Sequence, residues 1–260
     1  MAPAAAQGTA SGTASGAEPA CATAPWEAAI PGSRATTDLA QGPVAAWYED
    51  PTTRYAHGVL GDAIEAGTLA VQLGPSEDCA TARLVLPETE VFEDIAPRLS
   101  DIDGDGRAEI IVVRSHLDRG ARLAVYAADA RGLRLLAATP AIGRPNRWLA
   151  PIGAADLDGD GAVEIAYVDR PHLAMILRVW RYDAGRLTEV AAASGLTNHR
   201  IGEAFLSGGL RDCGRGPEIV TADAGWTRLV ATRLTRDGLV ARDIGPWSAR
   251  ALRAALSCAG

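Results

Sequence analysis

Apolar residues in this chain come in short β-branched and aromatic runs, broken by Asp/Gly turns. Ile110-Ile111-Val112-Val113 and Ile165-Ala166-Tyr167-Val168 read as strands. Behind the first run, residues 122–126 form a second strand-like stretch, an Asp129-Ala130-Arg131-Gly132 turn follows, and Leu133-Arg134-Leu135-Leu136 returns. Behind the second run the order repeats: residues 177–182, an Asp183-Ala184-Gly185 turn, and residues 186–190. Strands joined by Asp/Gly turns predict antiparallel hairpins. A hairpin pattern recurring about every 50 residues predicts the blades of a β-propeller.

Each of the two runs is entered through an acidic loop. Asp101-Ile102-Asp103-Gly104-Asp105-Gly106-Arg107-Ala108-Glu109-Ile110 recurs, starting 55 residues later (156 − 101), as Asp156-Leu157-Asp158-Gly159-Asp160-Gly161-Ala162-Val163-Glu164-Ile165. Carboxylates at alternate positions, separated by glycines that accept positive φ, make a loop that wraps a hard cation. The expected ligands are Asp101, Asp103, Asp105, the Arg107 carbonyl and Glu109, and in the second copy Asp156, Asp158, Asp160, the Ala162 carbonyl and Glu164. Four carboxylates in one loop repel one another strongly without a cation among them. Calcium tolerates the irregular oxygen cage of a short loop, so two calcium ions are expected. An EF-hand would need Glu at the twelfth position, where Val112 and Tyr167 stand. The loop therefore opens a strand and not a helix.

These two copies resemble the FG-GAP or VCBS repeat, the calcium-loop repeat of integrin-α-type β-propellers. The resemblance implies one propeller blade per repeat, with calcium in a loop between strands, most often in a structural role. It implies no particular ligand or activity.

Two fainter copies extend the repeat. Residues 210–220 keep Asp212 and Glu218, at positions three and nine, and lose the acidic residues at positions one and five. That copy predicts a blade without the ion. Residues 58–69 align with 208–219 and predict a fourth, trimmed blade starting near Leu60. The strand-like stretch at 44–48, with Trp47, is expected to close the ring by joining the last blade. The fold expected over 25–260 is all-β, a propeller of about four to five four-stranded antiparallel blades, one of them trimmed. An open ring completed by another chain is the alternative.

Composition narrows the reading. Residues 1–24 are nearly all Ala, Gly, Ser, Thr and Pro, too polar and small to offset their ordering entropy, so a disordered tail is expected. It has neither the basic nor the apolar region of a signal peptide. No run of eighteen apolar residues exists, so no membrane span is expected. A net charge of −7 without a basic run disfavours nucleic acid. All 25 basic residues are Arg, which excludes a lysine Schiff base. Cys21, Cys79, Cys213 and Cys258 form no Cys-x-x-Cys pair, so zinc is disfavoured and two disulfides are expected outside the cytoplasm. Three pairings are open; we favour Cys21–Cys79 with Cys213–Cys258.

No catalytic pattern stands out. His57, His116, His172 and His199 are scattered, although His57 and His199 each precede a degenerate loop, which suggests equivalent structural places. There is no Gly-x-Ser-x-Gly elbow and no phosphate loop. Six Trp stand against two Phe. Trp180 reads as core, while Trp148 and Trp226, with Arg147, Asn146 and residues 169–172, are candidates for a face that meets a sugar or peptide. The sequence favours a periplasmic or secreted, calcium-stabilised binding module with a protein or carbohydrate ligand. The alternatives are a propeller hydrolase or lyase on polysaccharide or phosphoester, marked by carboxylates and histidines clustered outside the loops, and a cell-envelope assembly scaffold.

Overall fold

The computed structural model describes Cys21 and residues 27–259; the remainder of the expected tail, and Trp26, lie outside the described residues. The fold is all-β and propeller-like, built from antiparallel strand pairs. The first four strands are β1 (Ala35–Thr36), β2 (Pro43–Thr52), β3 (Glu65–Leu73) and β4 (Thr81–Val85), hydrogen-bonded in that order. Next come β5 (Glu90–Phe92), β6 (Arg98–Ser100), β7 (Glu109–His116), β8 (Gly120–Asp129) and β9 (Gly132–Ala138). Strand β5 pairs with both β3 and β7, which ties these two groups into one hydrogen-bonded array. A separate sheet follows: β10 (Leu149–Ala155), β11 (Glu164–Asp169), β12 (Ile176–Asp183) and β13 (Arg186–Ser194). The last contains β14 (Leu196–Thr197), β15 (Gly209–Asp212), β16 (Pro217–Asp223), β17 (Arg228–Thr235) and β18 (Gly238–Pro246), followed by helix α1 (Ala249–Leu256).

The continuous apolar runs are explained by burial on both faces. Side chains alternate across a strand. Ile110 and Val112 of β7 pack with Tyr48, Leu69 and Val71 of the first group, while Ile111 and Val113 pack with Leu149, Ile165 and Tyr167 of the third. In β11, Ile165 and Tyr167 face back toward β7 and β8, and Ala166 faces Ile219 of the last sheet. Apolar residues on both faces are what a strand inside a stack of sheets requires. The outer strand β13 instead exposes Arg186, Thr188, Glu189 and Val190.

Two sequence expectations are corrected here. Strand β2 does not join the last blade: it pairs with β1 and β3. The outer face of the last sheet is covered by α1, where Leu252 and Leu256 pack on Val220 and Leu229. The faint copy at 58–69 is not an equivalent of the loop between β15 and β16. It joins β2 to β3 and runs into β3 itself, one strand later than the alignment put it. The two ends of the stack meet through loops, with Gly202 N–H donating to Val59 O at 3.1 Å. Helix α1 was not expected from sequence; Ser248 caps it by accepting from Ala251 N–H.

Both favoured disulfides are present, Cys21–Cys79 and Cys213–Cys258. The second ties the loop between β15 and β16 to the segment just after α1, and closes 45 residues of chain. Replacing Cys213 and Cys258 by Ser should therefore lower unfolding stability by about 2–4 kcal/mol, read from denaturant melts. An unchanged midpoint would show that α1 is held by packing alone.

Candidate metal centre

The acidic loops connect β6 to β7 and β10 to β11. Their backbone is shaped by their own aspartates. Asp101 accepts from the amides of Gly104, Asp105 and Gly106 at 2.8, 3.1 and 2.9 Å. Asp156 does the same with Gly159, Asp160 and Gly161 at 2.7, 3.1 and 2.9 Å. Asp105 then accepts from Arg107 N–H, and Asp160 from Ala162 N–H. Gly104 and Gly106 have φ of 78° and 84°, and a Cβ at either would meet nothing within 4 Å. These glycines are needed for their backbone angle and not for room.

The loops close on a buried glutamate. Glu109 and Glu164 are 3% and 0% exposed. One oxygen of each accepts from a loop amide, Ile102 N–H and Leu157 N–H respectively, both at 2.9 Å. Burial pushes the Glu109 carboxyl up to about 7, and Asp103, Asp105 and Asp101 add to the rise. Glu164 is raised by burial as well, against the opposing pull of its amide bond and of Arg181. Carboxylate oxygens of Asp101, Asp103 and Glu109 lie within 4.8 Å of one another, as do those of Asp156, Asp158 and Glu164. A cation with bonds near 2.4 Å spans oxygens up to about 4.8 Å apart, so each trio has the donor chemistry and spread to hold one.

The degenerate third loop is answered differently. Asp212 accepts from Gly214 and Gly216 N–H at 2.8 and 3.1 Å, and Glu218 is bound by Arg211 at 2.7 Å and Arg242 at 3.0 Å. Arginine fills the role of positive charge there.

A second polar cluster lies among the loops at the other ends of these strands, and here the scattered reading of the histidines is overturned. His57 Nδ1 and Glu93 Oε1 are 2.5 Å apart. Glu93 is wholly buried, its other oxygen accepts from the Ser115 hydroxyl, and its backbone carbonyl accepts from Trp148 Nε1 at 2.8 Å. Trp148 is 2% exposed and lies beside both His172 and His199, so it is core and not a ligand face. His199 Nε2 donates to Glu203 O, since a carbonyl can only accept; its Nδ1 then accepts from His172 Nε2 at 2.9 Å. His57 lies in the β2–β3 loop and His199 in the connection from β14 to β15, so their supposed equivalence does not hold. His116 stays apart at the end of β7, where it accepts from Asp118 N–H. Trp226 and Trp247 pack edge to face, with the Arg200 guanidinium over both rings. No short motif links these residues. Sorting loops by the strand end they occupy is the signal that would have grouped them.

The FG-GAP-like repeat model matches residues 101–167, from the first acidic loop into the strand behind the second. The chain thus carries an FG-GAP-type repeat, as its loops suggested. No curated protein matches it. No helix among the described residues is long and apolar enough to cross a membrane.

The buried histidine pair gives a pH dependence. Burial, with the nearby His199 and His57, pushes His172 down to about 4 from its ordinary 6.5, and burial lowers His199 too. Between those values the unfolded chain binds a proton that the folded chain refuses. Stability from this pair is complete above pH 6.5 and is lost as pH falls toward about 4. His172→Gln should flatten that acid-side fall in melting temperature between pH 7 and 4, whatever its effect at neutral pH. An unaltered slope would contradict a titrating role for the pair.

Proposed function

We propose that this FG-GAP-type chain is a calcium-stabilised, four-bladed propeller-like interaction module of the periplasm or cell exterior. One observation carries the reading: two loops of the same geometry each bring two aspartates and a buried glutamate within 4.8 Å. Calcium at Asp101, Asp103, Asp105, the Arg107 carbonyl and Glu109, and at Asp156, Asp158, Asp160, the Ala162 carbonyl and Glu164, brings positive charge among these carboxylates and fixes each loop against the strand behind it. The four blades are β1–β4, β5–β9, β10–β13 and β14–β18, over 25–260, with residues 1–24 a tail preceding them. Two disulfides suit an oxidising compartment. Exposed Leu173, Ile201 and Phe205, on loops joined by the His172–His199 bond, offer apolar area to a protein or carbohydrate partner.

The enzyme alternative draws support from the convergence of His57 with Glu93, the feature expected of it. The space beside that pair favours the binding reading. The space bordered by His57, Trp148 and His172 measures about 30 Å³, small beside the cavities that take a sugar ring or a phosphoester.

The calcium reading is tested by melting. A ligand bound only by the folded state stabilises it by about 2.7 kcal/mol at a hundredfold excess over Kd. The melting temperature should rise with calcium and fall with chelator, while the β signal in circular dichroism survives chelation at room temperature because the apolar strands stay paired. Asp103→Ala should remove the first loop's share of the rise, and adding Asp158→Ala the remainder. A melting temperature indifferent to calcium refutes the reading; collapse of the β signal on chelation would make the metal a folding requirement instead.

A further inference from the structure

The two acidic loops have the same backbone, but their charge environments differ. The Arg181 guanidinium reaches into the second loop from β12, 2.6 Å from Glu164, 3.0 Å from Asp158 and 2.9 Å from Asp160. Three of that loop's four carboxylates thus already hold a tethered cation. Arg181 stands directly across the sheet from Glu164, beside the pair Ile165–Trp180.

The other blades give the comparison. Ile110 pairs with Tyr126 as Ile165 pairs with Trp180, so the residue at Arg181's place beside Glu109 is Ala127. A methyl group cannot reach the loop. The room an arginine would take is instead part of a cavity of about 570 Å³, bordered by Asp103, Asp105, Glu109 and Ala127. Arg107, Arg131 and Arg134 also line that cavity. Arg107 is engaged by Glu77 and Arg131 by Asp129, and Arg134 stands one strand further out, opposite Ala127. In the last sheet Ile219 pairs with Thr232, which sets Arg233 at the same place; it is 3.7 Å from Glu218, and Arg211 and Arg242 are closer. The cross-strand position therefore reads Ala, Arg, Arg along the chain, and the loops keep four, four and two acidic residues (Asp212 and Glu218 in the last).

Resting on the calcium reading, we propose that the cross-strand residue sets whether a loop depends on a divalent cation: the Ala127 loop binds calcium tightly, while Arg181 neutralises the second loop and makes it a weak site. Binding there must displace the guanidinium from Glu164 and Asp158 or accept a like charge a few ångströms away. Either costs affinity, because charges at such distances interact strongly at a partly buried site. The first loop is then the one that responds to calcium, and the second stays closed without it.

Calcium titration calorimetry on the full chain tests this, with circular dichroism to verify folding of each variant. The wild type should show one tight site and a second at least about tenfold weaker, a ratio that corresponds to about 1.4 kcal/mol. Asp101→Asn should abolish the tight site and Asp156→Asn the weak one. Arg181→Gln should bring the two affinities together by strengthening the second loop, and Ala127→Arg should weaken the first by a similar factor. The two substitutions act at different loops, so a folding defect in one leaves the other informative. Two sites of equal affinity in the wild type, or a second loop no tighter in Arg181→Gln, overturns the proposal and leaves the calcium reading standing. No calcium binding to any form overturns both.

Discussion

The structure turns on a carboxylate buried where a strand begins. Glu109, Glu164 and Glu218 sit at the first or second residue of β7, β11 and β16, and are 3%, 0% and 8% exposed. A carboxylate cannot be buried without hydrogen bonds and a compensating charge, or else a proton. The loop before each of these strands is organised around that requirement. In the second and third blades, one oxygen of the glutamate ties down the second residue of the acidic loop and the aspartates crowd around the rest, joined in the third by Arg181. In the last blade the loop is shorter in acid, and arginines surround the glutamate instead. The same buried group is answered by different chemistry in successive repeats, which is how a repeat can lose its aspartates and keep its blade.

Behind the glutamates the fold is held by strands that are apolar on both faces. Because β7 and β11 each bury alternate residues against different neighbours, the loops they follow are fixed to strands enclosed on both faces. Movement of an acidic loop would have to disturb packing on both sides. The ends of the stack are finished differently: α1 and the Cys213–Cys258 bridge cover the last sheet, and Cys21–Cys79 anchors the chain ahead of the first. A terminal repeat must cover the face that an inner repeat buries against its neighbour.

At the opposite strand ends, polar residues perform a structural task. Glu93 joins a histidine, a serine and a tryptophan from distant parts of the chain, and His172 and His199 lock two loops together beside the same tryptophan. A buried network of this kind helps to specify one arrangement of loops. The acidic Glu65, pushed up to about 9 by burial and by Glu93, Asp62 and Asp94, belongs to the same region and adds to its sensitivity to charge.

The sequence alone determined the hairpin pattern and the two cation-type loops, and left the cysteine pairing to the structure; the loops were legible for a physical reason. Their shape comes from bonds that span three to five residues, between Asp101 or Asp156 and amides just ahead, and from glycines at fixed positive φ. Interactions that local are written in spacing. The tertiary structure decided what spacing does not carry. The 58–69 segment resembles a loop in letters but joins β2 to β3, because strand order depends on which apolar face finds which neighbour. His57 meets Glu93 across 36 residues and Asn146 meets Tyr55 across 91, contacts set by sheets stacking and not by any motif. Arg181 reaches Glu164 only because β11 and β12 pair in one register. A one-residue slip would send that side chain to the other face, and nothing in the loop's own ten residues fixes that register.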